Sequence, residues 1–336
     1  MAVTGKSTGS LAVSVAQQKL QLREAERQER LTREKEYTAT LRIMIKRGVK
    51  GLESAQTAAT GPRRVARASG GRRGPAGAPG AQAQAGRPLQ ILAEGDSWFD
   101  YGVPAFGGSI IPRLEKKIGV PILNLAKGGD EVQNMLRVDQ RRTLQRHLEQ
   151  GCPAGGNWDV LLFSGGGNDI VGDRMAVWMR EFDPSIKPWQ HVSMRHFKPS
   201  LDLLKAGYES LIALRDQYSP ETHLIFHTYD YAWPDGRGVC WLGPWLEPTF
   251  TLRRFPTFPE NTASFEVVKW MLGQFAKLME SFTSKSRRIT VINGQGTLPV
   301  QKGSWHNELH PSKTGFETHA DLFHQKLRQL FPGRVL

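Results

Sequence analysis

The chain has 336 residues, 39% apolar and 9% aromatic, enough to bury a sizeable core as one or two domains. Its net charge of +13 is unevenly spread: residues 1–86 hold 16 Lys/Arg against 6 Asp/Glu, residues 87–336 hold 29 against 26, so the basicity says little about what the C-terminal part acts on. Two cysteines, Cys152 and Cys240, make no disulfide framework and match no zinc spacing. No apolar stretch reaches the length of a membrane span, and the short run Leu11–Ala16 is no signal peptide; the expectation is a cytoplasmic chain without metal or cofactor.

From Gln17 to Tyr37 nearly every residue favours a helix, and Glu26/Arg30 and Glu29/Arg33 are spaced for ion pairs one turn apart. Leu20, Leu31 and Tyr37 make no sustained heptad stripe, so the spacing predicts a solvated single helix rather than a coiled coil. Leu41–Leu52 is more apolar and predicts a second helical stretch, solvated or docked, within a charged extension over residues 1–60. Residues 61–87 are built from Ala, Gly, Pro, Arg and Gln and cannot bury enough to offset their ordering entropy, which predicts a disordered linker.

After residue 87 apolar runs alternate with helical stretches. Leu89–Ala93, Ile122–Leu125, Val160–Phe163, Leu224–His227 and Ile289–Ile292 read as buried strands; Ile110–Ile118, Glu131–Glu149, Leu201–Gln217, Ser264–Phe282 and Gly315–Leu330 read as helices. The alternation predicts an α/β domain over residues 88–336 with a parallel sheet. Residues 231–261 carry Trp233, Trp241, Trp245 and three phenylalanines with five prolines, too long for an ordinary connection. They are read as an insertion, either a lid or substrate wall or a packed aromatic cluster. Pro184–Pro199 reads as a second long loop.

Reactive groups in such sheets collect where strands end. The first strand runs into Gly95-Asp96-Ser97-Trp98, the second into Asn124-Leu125-Ala126-Lys127-Gly128-Gly129-Asp130, the third into Gly165-Gly166-Gly167-Asn168-Asp169, and Trp305-His306-Asn307-Glu308-Leu309-His310-Pro311 stands near the C-terminus. Each motif alone is better read as a turn, and His310 alone as a satisfied core histidine. Together, in this order, they resemble the SGNH (GDSL-type) hydrolase superfamily over about residues 88–330. The resemblance implies a three-layer α/β/α, flavodoxin-like sheet and hydrolysis of acyl or acetyl esters of lipids or sugars without a cofactor.

It implies Ser97 as nucleophile, His310 as general base, and Ser97, Gly129 and Asn168 as the oxyanion hole. A serine hydroxyl is nearly inert until a positioned imidazole takes its proton, and the oxyanion needs neutral donors that approach closely. Two positions depart from the family pattern. Trp98 replaces a leucine, read as a packing change, and Asn307 stands where the last motif has aspartate. A neutral amide can orient an imidazole but not balance its charge; Asn307 is the expected orienter, with Glu308 and His306 as alternatives. A zinc site on His306 and His310 is disfavoured by Pro311. A competing reading is a weakened SGNH-fold protein that binds nucleic acid or another anionic partner through its basic extension.

Overall fold

The computed structural model describes residues 8–49, 52, 87–103, 106–239 and 242–335, with side chains from residue 17 onward. The predicted linker over residues 61–87, its last residue aside, and Trp241 and Cys240 lie outside the described residues.

Five parallel strands form one sheet in the order β2-β1-β3-β4-β5: β1 (Ile91–Gly95), β2 (Ile122–Asn124), β3 (Val160–Ser164), β4 (His223–His227) and β5 (Ile289–Ile292). Ile91 pairs with Ile122 on one side and Val160 on the other, Val160 with His223, and Leu224 with Ile289. The helices are α1 (Thr8–Lys46), α2 (Ile110–Ile118), α3 (Val132–Met135), α4 (Val138–Gln150), α5 (Gly167–Ile170), α6 (Met175–Trp178), α7 (Met194–Tyr218), α8 (Glu247–Leu252), α9 (Ala263–Glu280) and α10 (Lys313–Leu330). Helices α2 and α10 pack together in one layer, and α4, α7 and α9 form the other. With both faces covered, the strands are buried almost throughout, as their unbroken apolar runs required. Among the described residues no helix is long and apolar enough to cross a membrane.

Within the sheet domain three elements differ from the sequence reading. Strand β1 runs two residues further, through Glu94 and Gly95. A Cβ on Gly95 would lie 2.6 Å from the Ser164 carbonyl oxygen, so only glycine lets β1 and β3 stay paired there. Glu94 is fully buried with no hydrogen-bond partner on either carboxylate oxygen, and burial raises its pKa to about 8, so it sits in the strand largely as a neutral acid at pH 7. The helix expected over 131–149 is broken at Leu136–Arg137, although no Gly or Pro marks the break. The Asp169 carboxylate accepts from the Val132 amide at the start of α3 (3.0 Å), while Gln140 of α4 donates to Asp130. The loop expected over Pro184–Pro199 is instead a 3-10 turn at Pro188–His191 followed by the start of α7, with Pro199 inside that helix.

The N-terminal helix is a single element that docks on the sheet domain, correcting the expectation of a solvated helix. Arg33 donates to the Ala126 carbonyl (2.7 Å) and to Asp100 (3.0 Å); Glu34 receives Arg146 (2.5 Å) and contacts His147 (3.1 Å); Tyr37 and Leu41 are buried. Glu29 pairs with Arg33 as spaced, but Glu26 pairs with Lys127 at 2.5 Å rather than with Arg30. Leu52 is buried outside any helix.

Candidate active site

The strand order reverses direction between β1 and β3, and there a crevice opens beyond the carboxyl ends of the strands. Ser97 follows β1 and Asn168 follows β3, so the fold alone brings the two motifs side by side. Asp96 shapes the turn at Ser97. Its carboxylate accepts from the Trp98 amide (3.0 Å), the Ser164 hydroxyl (2.7 Å) and the Tyr229 hydroxyl, and its carbonyl accepts from the Phe99 and Asp100 amides. Burial raises the Asp96 pKa to about 6 against these hydrogen bonds. Trp98 packs edge-on against Tyr229, Phe316 and His319 and donates from its indole to the Leu309 carbonyl at 3.2 Å, tying the Ser97 turn to the His310 loop.

Residues 305–311 form a tight loop just before α10, closed by a bridge between Trp305 and Pro311. His310 is buried there, with Nε2 2.7 Å from Ser97 Oγ and Nδ1 2.9 Å from Asn307 Oδ1. The Asn307 oxygen also accepts the backbone amides of Leu309 and His310, each at 2.9 Å. An oxygen receiving those donors requires the proton on His310 Nδ1, which leaves Nε2 free to accept from Ser97. Burial, with neighbouring His306, lowers the His310 pKa to about 3, so the imidazole is neutral across the ordinary pH range.

Tyr101 completes this arrangement and was not found by sequence reasoning. Its hydroxyl accepts from Asn307 Nδ2 (3.0 Å) and lies 2.7 Å from His306 Nδ1, and its ring stacks on His310 with centroids 4.2 Å apart. The amide donor at one end fixes which way Asn307 points. Nothing in the sequence links Tyr101 to a partner 206 positions away. His306 and Glu308, weighed as alternatives to Asn307, do not reach His310 Nδ1. Glu308 instead accepts four backbone amides of the insertion, from Gly236, Trp245, Leu246 and Glu247 at 2.5–3.0 Å.

That latch holds the insertion against the His310 loop. Trp245 meets the His310 ring edge-on at 5.9 Å, whereas Trp233 packs against Phe258 and Phe265 in an aromatic cluster. Beside Ser97 lies a cavity of about 30 Å³ bounded by Asn168, Val171, Tyr229, Ala232 and Leu272.

Asn168 donates from Nδ2 to the Asp130 carbonyl at 2.9 Å, which sets it beside the Gly129 turn. Gly129 has φ +81°, a conformation that a residue with a Cβ adopts at a cost. The backbone amides of Ser97 and Gly129 find no acceptor among the described residues. Two amides without a described acceptor and the Asn168 side-chain amide thus lie on the segments that follow β1, β2 and β3. Among the described residues no group of three or more His, Cys, Asp or Glu side chains is placed to hold a metal.

No protein-family model matches the chain, and no curated protein sequence matches it. Among solved structures it is similar to the lipase Lip_vut3 from a goat rumen metagenome, at 16% identity and TM-score 0.44 over 70% of this chain and 96% of that one. It is also similar to a carbohydrate esterase family 3 protein from Talaromyces cellulolyticus, at 11% identity and TM-score 0.42 over 72% and 97%, and to a GDSL-like lipase from Bacteroides thetaiotaomicron, at 12% and 0.37 over 72% and 89%.

Proposed function

We propose that this chain is a serine ester hydrolase of the SGNH type, with residues 88–336 as its catalytic domain, acting on carboxylic esters with short acyl groups. The observation that carries the reading is the unbroken hydrogen-bond chain Ser97–His310–Asn307 at 2.7 and 2.9 Å. In the proposed reaction His310 Nε2 takes the Ser97 proton as Oγ attacks the ester carbonyl, forming the tetrahedral intermediate. The Ser97 and Gly129 amides and Asn168 Nδ2 receive the developing oxyanion; one such donor is typically worth about 3–4 kcal/mol. The imidazolium then gives its proton to the leaving alcohol as the carbonyl re-forms, leaving an acyl group on Ser97. Water attacks in turn, losing a proton to His310, and the acid is released as that proton passes from the imidazolium to Ser97 Oγ.

Asn307 holds the imidazole tautomer in this scheme, and Tyr101 holds Asn307. Replacing Tyr101 by Phe leaves Asn307 Nδ2 buried without its acceptor, a loss of about 1–3 kcal/mol that loosens the amide. The expected result for Tyr101→Phe is a fall in kcat of roughly tenfold with KM little changed, read from steady-state kinetics. An unchanged kcat removes Tyr101 from the scheme.

The cavity beside Ser97 supports the short-acyl assignment. Val171, Ala232 and Leu272 leave about 30 Å³ beside Ser97, and a methylene beyond the fit costs on the order of tenfold or more. With p-nitrophenyl esters, hydrolysis is expected to fall at least about tenfold from acetate to butyrate, and Leu272→Ala to narrow that gap. Rates that rise with chain length would contradict the assignment. Trp245 is proposed as part of the wall facing the leaving group, from its contact with His310.

A further inference from the structure

A cleft of about 440 Å³, within the size range of small-molecule sites, lies between α1 and α4, and no residue of the Ser97 site lines it. Six arginines face it: Arg23, Arg27 and Arg30 from α1, and Arg137, Arg142 and Arg146 from the start and body of α4. Arg146 is engaged by Glu34, whereas the guanidinium groups of the other five make no ion pair or hydrogen bond with a described residue, Arg30 and Arg137 acting only through space on Asp130 and Arg30 on Glu94. Of the carboxylates lining the cleft, Glu26 is held by Lys127, Glu34 by Arg146 and His147, and Glu24 accepts from Gln28, so Glu24, Asp139 and the nearby Asp130 stand against five guanidinium groups without an ion-pair partner. The N-terminus of α4 opens here without a side-chain cap and adds its own positive end.

Like charges gathered on two facing helices repel unless an anion joins them, and planar guanidinium forks suit phosphate oxygens. The rise of about 1.5 Å per residue sets Arg23 and Arg30 about 10 Å apart along α1, further than one phosphate can bridge. We infer that the cleft binds a compact oligophosphate, a small ligand with three or more linked phosphoryl groups. The site joins the docked N-terminal helix to the sheet domain, and its observations are independent of the Ser97 chemistry.

The test uses the full chain and inorganic tripolyphosphate, with orthophosphate and a short DNA duplex as comparisons, followed by titration calorimetry. Tripolyphosphate is expected to bind saturably, at least tenfold tighter than orthophosphate and more weakly as salt rises. Arg27→Glu/Arg142→Glu should weaken it at least tenfold, while Arg328→Glu on α10 leaves it unchanged and ester hydrolysis is unaltered in both. Thermal melts of the variants separate lost binding from lost folding, and if the double variant is unfolded, Arg27→Gln/Arg142→Gln takes its place. Absence of saturable binding, equal affinity in the double variant, or binding of the duplex without tripolyphosphate would overturn the inference.

Discussion

Replacing Ser97 by Ala is expected to reduce kcat/KM for p-nitrophenyl acetate by four to six orders of magnitude, on the order of the losses seen when a nucleophile that acts as a unit with its base is removed. Among the described residues no other hydroxyl is hydrogen-bonded to the His310 ring. Ser97 Oγ is the group bonded to His310 Nε2, and the nearby Ser164 hydroxyl is engaged below it by Asp96 and His227. Ser97→Ala leaves the Asp96 turn intact, because that turn is made by the Asp96 carboxylate and carbonyl rather than by the Ser97 side chain. The variant should therefore melt like the parent, and its residual rate reports what the oxyanion donors do alone. A Ser97→Ala rate within tenfold of the parent defeats the nucleophile assignment.

The second large effect is at His310. His310→Ala should cost about as much as Ser97→Ala, since base and nucleophile fail together. The pH profile gives the sharper test. Activity needs neutral His310, and its native pKa of about 3 keeps it neutral as pH falls well below the usual histidine range, so kcat/KM should stay flat down to about pH 4. Asn307→Asp would put a negative charge on the imidazole, favour its protonated form and move the acid limb upward, toward pH 6. A parent profile that already falls near pH 6.5 contradicts the neutral-amide account.

Stability bounds that experiment. His227, His310 and His319 are buried with native pKa values of about 3, against about 6.5 unfolded. The unfolded chain binds more protons between those values, so the stability these groups contribute is whole above pH 6.5 and is lost as pH falls toward 3. Initial rates after brief acid exposure, with circular dichroism at the same pH, keep the two effects apart.

Much of this site was legible in the sequence because Ser97, Gly129 and Asn168 sit where apolar runs stop at glycines, and His310 stands in a compact motif just before the last helix. Local pattern sufficed to place β2, β3, β5 and α2 almost residue for residue. It failed where tertiary contacts decide. Glu94 looks like a strand terminator but lies inside β1, because burial neutralises it and Gly95 admits the neighbouring backbone. The start of α3 is held by Asp169, 37 positions beyond Val132. Tyr101 acts on Asn307 across most of the chain, and the docking of α1 depends on Arg33 finding carbonyls beyond β2, neither of which any local period reveals.

The most direct test of the central claim is covalent trapping of the nucleophile. Treated with a fluorophosphonate, the parent is expected to gain the mass of one phosphonyl group, mapped by peptide sequencing to Ser97, in step with the loss of ester hydrolysis, while Ser97→Ala gains none. Complete loss of hydrolysis with the label on another residue, or hydrolysis that persists with Ser97 fully labelled, would contradict it.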